Sequence, residues 1–133
     1  MICVLCVDDN PDLLFILEKF LEKSGKIMVD TESSALDALQ KLQTKSYDAI
    51  VSDLQMPEMD GITFLRHLKA SGNTTPFIIF TGRGREEVAI EAFDYGVDYY
   101  VQKGGELKSQ FTELCKKICD AVRRRAVRGG APD

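Results

Sequence analysis

Five short apolar runs punctuate the chain. Each is followed by a polar or glycine-bearing turn and then by apolar residues at helical spacing. The runs, Ile2–Val7, Ile27–Thr31, Ala49–Ser52, Phe77–Thr81 and Tyr99–Gln102, read as strands. After the first, Leu13, Ile16, Leu17, Phe20 and Leu21 repeat at the i, i+3, i+4 spacing of an amphipathic helix. Ser33 or Ser34 can cap a second helix that holds Ala35, Ala38, Leu39 and Leu42. Ile62, Leu65 and Leu68 mark a third, and Val88, Ala89, Ala92 and Phe93 a fourth. Phe111, Leu114, Cys115, Ile118 and Val122 mark the last.

Five strands alternating with five helices predict an α/β, doubly wound fold: a parallel sheet wrapped on both faces and joined by right-handed crossovers. The first, third and fourth strands are almost wholly apolar, as central parallel strands should be. No internal repeat or second domain is visible. The expected domain is 1–122. Residues 123–133, arginine-rich and then Gly-Gly-Ala-Pro-Asp, read as a frayed helix end and a basic flexible tail or linker.

Composition changes this picture little: 133 residues, 44% hydrophobic and 29% charged, suit one globular domain. No apolar run approaches the ~18 residues that span a bilayer. The apolar N-terminus lacks a basic flank and meets Asp8 and Asp9 at once, unlike a signal peptide, so the expected location is cytoplasmic. Charge is more informative. Of the net −4, the last eleven residues contribute +3, which leaves −7 on residues 1–122. A body this acidic argues against direct nucleic-acid binding and suggests carboxylates gathered around a cation.

The four cysteines allow a zinc reading, Cys3-x2-Cys6 with Cys115-x3-Cys119. Positions three apart on a strand face opposite sides, however, and Cys115 and Cys119 share the apolar face of a helix. Buried free thiols are the expectation.

In open α/β sheets ligands bind at the carboxyl ends of the strands. There the first strand ends in Asp8 and Asp9, the third in Asp53, the fourth in Thr81 and the fifth in Lys103. Singly, each has an ordinary structural reading: a helix cap, a strand threonine, a solvated lysine. Their conjunction carries the chemistry. Three neighbouring carboxylates repel one another, and a hard divalent cation such as Mg²⁺ relieves the repulsion. Lys103 suits an anion beside that cation. An oxygen nucleophile, a metal site and cationic or hydroxyl donors are the parts of phosphoryl transfer, and a carboxylate nucleophile would form an aspartyl phosphate.

These residues, with V-D-D-N at 7–10, D-L-Q-M-P-E-M-D-G from Asp53 to Gly61, F-T-G at 80–82, and Tyr100 before Lys103, make the chain resemble a response regulator receiver domain of the CheY-like kind. The resemblance covers residues 1 to about 122. It implies a flavodoxin-like (βα)5 three-layer sandwich with strand order 2-1-3-4-5, working in two-component phosphorelay signalling. It implies Asp53 as phosphoacceptor, Asp9 as direct ligand of Mg²⁺ (or Mn²⁺), and Asp8 as a ligand through water. Gln55 would lend its backbone carbonyl to the metal. Thr81 would meet the phosphoryl group and Lys103 pair with its oxygens. Tyr100 would turn inward or outward with Thr81. The implied partners are a sensor histidine kinase or phosphotransfer protein, and an output domain or protein met through the face of the fourth helix, fifth strand and fifth helix. A phosphorylation-linked dimer is a further implication. Beyond phosphorylating and dephosphorylating itself, the chain is not expected to be an enzyme, to bind nucleic acid directly or to enter a membrane.

Pro57 and Gly61 read as loop-shaping, Gly61 by permitting a backbone turn before the third helix. The family places proline after the lysine, often through a cis bond; here Lys103 meets Gly104 and Gly105. A trans or variable bond and a more mobile loop are therefore expected. F-T-G-R-G-R-E-E with Q-K-G-G is similar to receivers attached to PAS and histidine-kinase modules in methanogenic archaea. Arg83, two residues past Thr81, falls where the family tunes water access. The Gly82-Arg83-Gly84 string lacks the spacing of a P-loop and reads as a loop. His67 sits among polar neighbours and reads as solvated.

Three rival readings differ in class. A pseudo-receiver, an interaction module that is never phosphorylated, would not need the complete acidic set with Thr81 and Lys103. A haloacid-dehalogenase-like phosphatase needs an Asp-x-Asp pair on the first strand, whereas Gln55 stands two after Asp53. A flavin site wants a Ser/Thr-rich phosphate loop where Asp8 and Asp9 stand. With eleven residues after Val122, the expectation is a single-domain regulator or a receiver cut from a larger sensor protein.

Overall fold

The computed structural model describes residues 1–82 and 86–129. Its elements run β1 (Ile2–Val7), α1 (Pro11–Glu22), β2 (Ile27–Glu32), α2 (Ala35–Leu42), β3 (Ala49–Ser52), α3 (Gly61–Ala70), β4 (Phe77–Thr81), α4 (Glu86–Asp94), β5 (Tyr99–Gln102) and α5 (Leu107–Gly129). The strands form one parallel sheet in the order β2-β1-β3-β4-β5, as expected.

Alternation along each strand divides the core in two. Val4 and Cys6 of β1, with Val51, Ile78 and Phe80, face α1 and α5, where they meet Leu14, Leu17, Phe111, Leu114 and Ile118. Leu5 and Val7, with Ile50, Phe77 and Ile79, face the other way onto Ala35, Ala38, Leu65, Leu68 and Ala92 of α2, α3 and α4. Both faces of the central strands are therefore dry, and that is why they carry no polar alternation.

The helix starts are local chemistry. Asn10 accepts hydrogen bonds from the Asp12 and Leu13 amides at 3.1 and 3.3 Å, with Pro11 opening the first turn of α1. Ser34, not Ser33, caps α2 by accepting from Asp37 N at 3.1 Å. Asp60 caps α3 through Thr63 N at 2.8 Å.

Three expectations change. On α1 the inward stripe includes Leu14, while Ile16 is exposed, and on α4 Phe93 is exposed beside buried Ala92. Both helices bury a narrower stripe than their apolar content suggested. The helical pattern read to Val122 continues through Gly129, so Arg123, Arg124 and Arg125 are helical. Asp120 supports them, 3.2 Å from Arg124 and 3.8 Å from Arg123, and Arg125 donates to the Tyr47 carbonyl at 3.5 Å. Finally, the thiols are unevenly buried: Cys6 fully, but Cys3, Cys115 and Cys119 only in part. Arg83 and Gly84, and the end of the expected tail from 130 onward, lie outside the described residues.

Candidate phosphoryl and metal site

The last rungs of the parallel ladder run one residue beyond the strands. Asp53 N donates to Val7 O at 2.9 Å, Asp8 N to Glu32 O at 3.2 Å and Lys103 N to Thr81 O at 2.8 Å. Three chemistry-bearing residues are thus tied to the sheet by their own backbones, and their side chains project past its carboxyl edge.

There Asp8, Asp9 and Asp53 each present a carboxylate oxygen, all within 4.8 Å of one another. Asp8 is buried at 5% exposure, Asp53 half-buried and Asp9 exposed. Lys103 Nζ lies 2.9 Å from Asp8 Oδ2 and 3.9 Å from Asp53 Oδ1. Asp8 Oδ1 accepts from Asn10 N at 2.9 Å, and Asp53 Oδ1 from Leu54 N at 2.8 Å. Burial pushes the Asp8 carboxyl above its ordinary range, the nearby Asp53 charge adding to this; the bonds from Lys103 and Asn10 pull the other way. A hollow of about 290 Å³ opens between Asp8, Asp9, Asp53, Gln55, Gly82 and Lys103. Three hard oxygen donors at one mouth match what a divalent cation with retained waters accepts.

Thr81, fully buried, ends β4 opposite Gln102 of β5. Tyr100 is half-buried, and its hydroxyl is buried with no hydrogen-bond partner among the described residues. Burial raises the Tyr100 pKa, and the Asp53 charge adds to it. Neither residue lines the hollow.

The loop from Asp53 to α3 corrects one reading. Gly61 does not supply the left-handed turn. That conformation falls on Glu58, at φ +72°. Gly61 is required for space, since a Cβ there would sit 2.4 Å from the Asp53 carbonyl oxygen. Its own amide donates to Leu54 O at 2.7 Å. After Lys103 every described peptide bond is trans, as one of the expected outcomes had it, and Gly104 and Gly105 take φ +148° and +82°. Proline, held near −65°, cannot follow that route.

Sequence reasoning passed over three supporting residues. Asn10 both caps α1 and holds Asp8, and the Asn-Pro-Asp string was its signal. Phe80 lies under the Lys103 ammonium, 5.3 Å from Nζ to the ring centroid. Gly82 leaves room for the lysine stem, whose Cβ would be 3.5 Å from a side chain there. His67 is exposed, as expected.

The family model for the response regulator receiver domain matches residues 4–118. The chain belongs to the response regulator receiver domain family. This receiver domain is 34% identical over 104 residues to response regulator Rre1 of Synechocystis, which covers 77% of the chain and 45% of that protein. It is 33% identical over 122 residues to the transcriptional regulatory protein PrrA of Mycobacterium leprae, covering 92% of the chain and 50% of the relative. The chain thus spans about half the length of these curated relatives. Among solved structures, the receiver domain of the Francisella response regulator 1452 superposes with a TM-score of 0.84 at 29% identity, covering 93% of this chain and 98% of that one. A receiver domain protein from Clostridium thermocellum gives 0.83 at 28%, covering 96% and 98%. The receiver fold is flavodoxin-like, and the domain is one of two-component systems. None of its described helices is long and apolar enough to cross a membrane.

Proposed function

We propose that Asp53 accepts a phosphoryl group from a phosphohistidine on a partner kinase or phosphotransfer protein. The observation that carries this reading is the cluster of Asp8, Asp9 and Asp53 oxygens within 4.8 Å, with the Lys103 ammonium against it. Asp53 Oδ1 is engaged by the Leu54 amide, which leaves Oδ2 to attack phosphorus. A P–O bond forms, the P–N bond breaks, and the imidazole leaves. Lys103, paired with Asp8 at rest, is within reach of the new phosphoryl oxygens, and the Thr81 hydroxyl moves toward another to donate to it. A Mg²⁺ (or Mn²⁺) ion held by Asp8, Asp9, Asp53 and the Gln55 carbonyl would neutralise charge on the phosphoryl oxygens. Water later cleaves the acyl phosphate, so the domain catalyses its own phosphorylation and dephosphorylation.

The readout rests on Thr81 and Tyr100. An unpartnered buried hydroxyl costs about 1–3 kcal/mol, so the resting position of Tyr100 is one that a small change at Thr81 can tip. Exposed Ile90 and Phe93 on α4 support an output surface on the α4-β5-α5 face, met by an output domain, a partner protein or a second copy. We place the domain in the cytoplasm, where a kinase phosphohistidine and millimolar Mg²⁺ are at hand. With radiolabelled acetyl phosphate and Mg²⁺, the wild type is labelled and Asp53→Asn is not; retained label in the variant overturns the reading.

A further inference from the structure

Between α1 and α5, on the face of the sheet that packs against neither α2 nor α4, runs a groove of about 520 Å³. That volume falls within the 300–1,000 Å³ range of small-molecule sites. Its floor is apolar: Phe20 and Leu21 from α1, Cys115 and Cys119 from α5. The two thiols sit one turn apart and interact with each other, and burial pushes the Cys115 thiol pKa up.

The rim is the opposite in character. Lys23, Lys116 and Arg123 border the groove, and no carboxylate lines it, on a chain whose first 122 residues carry −7. Lys23 and Lys116 have no ion pair among the described residues. Arg123 has only the 3.8 Å contact to Asp120 among the described residues, and its own side chain is well exposed. An apolar trough edged by spare cations complements one ligand chemistry: a hydrophobic body with an anionic head. The same rim disfavours a metal cation at the thiol pair.

We propose that the α1–α5 groove is a binding site for a free aliphatic carboxylate, with its chain on Phe20, Leu21, Cys115 and Cys119 and its carboxylate held by Lys116 and Arg123. The site lies away from Asp53 and does not depend on phosphorylation.

The test is a titration of the full chain, labelled with ¹⁵N, with decanoate, decanol and decyltrimethylammonium, read by amide chemical shifts. Decanoate is expected to give saturable shifts confined to the C-terminal half of α1 and to α5. The cationic analogue should bind about tenfold more weakly. The double variant Lys116→Glu, Arg123→Glu changes exposed residues and should keep the fold; it should weaken decanoate by about tenfold. Cys119→Trp should abolish binding by filling the groove, while amide shifts induced by beryllofluoride and Mg²⁺ stay as in wild type. Four results would overturn the proposal: equal binding of all three amphiphiles, shifts centred on Ile90 and Phe93 of α4, a response to anionic vesicles but not to monomeric decanoate, or groove shifts that track protein concentration and so assign the groove to a second copy.

Discussion

Lys103 Nζ stands 2.9 Å from Asp8 Oδ2 and a full ångström farther from Asp53 Oδ1. At rest the lysine is therefore the counter-ion of the proposed metal-site carboxylate more than of the proposed phosphoacceptor. It competes with any divalent cation for Asp8 and repels it. Lys103→Ala should consequently tighten Mg²⁺ binding, by about 1 kcal/mol or roughly fivefold. The same variant should slow uptake from acetyl phosphate by orders of magnitude, since the phosphoryl oxygens lose their cation. Calorimetric Mg²⁺ titration and a labelling time course check the two halves, and weaker Mg²⁺ binding would contradict the first.

Gly61 and Gly82 form an internal contrast. A methyl at 61 meets the Asp53 carbonyl at 2.4 Å, which only backbone movement can relieve. At 82 it meets the Lys103 Cβ at 3.5 Å, an ordinary contact. Gly61→Ala should cost about 1–3 kcal/mol of stability and impair phosphorylation by displacing Asp53, whereas Gly82→Ala should do little of either. Urea denaturation and labelling of both variants test this.

Gly104→Pro restores the residue the family favours, yet it should harm this chain. Gly104 sits at φ +148°, a conformation closed to proline, so the loop into α5 must re-route. A loss of about 1–3 kcal/mol is expected in thermal unfolding, and equal or higher stability would contradict the backbone described.

Much of this is legible in the sequence. Strand positions and the gathering of Asp8, Asp9, Asp53, Thr81 and Lys103 follow from apolar period and from where each run stops, because a parallel ladder aligns strand ends. Packing detail did not follow. Whether Leu14 or Ile16 points inward on α1 depends on helix rotation against the sheet, and the five consecutive apolar residues from Leu13 to Leu17 leave that open. The reason for Gly61 was likewise hidden, since a close approach between a helix start and a strand end is a tertiary fact with no local signature. The helical course of Arg123–Arg125 depends on Asp120 and on the distant Tyr47 carbonyl.

Far from the site, Asp30 should shape the acid limb of stability. Hydrogen bonds from Lys45 at 2.6 Å and Tyr47 at 2.5 Å hold its carboxyl below the ordinary value of 3.8. A depressed folded-state pKa means the contribution is fully present above that ordinary value and lost as pH falls through the lower one. The stability gap between wild type and Asp30→Asn should be constant near neutrality and shrink as pH drops below about 4. A gap that widens toward acid would contradict the assignment.

The central claim is tested most directly by locating the phosphoryl group itself. The wild-type chain is incubated with acetyl phosphate and Mg²⁺, reduced with borohydride to convert any aspartyl phosphate to homoserine, and mapped by peptide mass spectrometry. Conversion is expected at Asp53 alone and is abolished by EDTA. Conversion at another residue, or none at Asp53 with Mg²⁺ present, would contradict it.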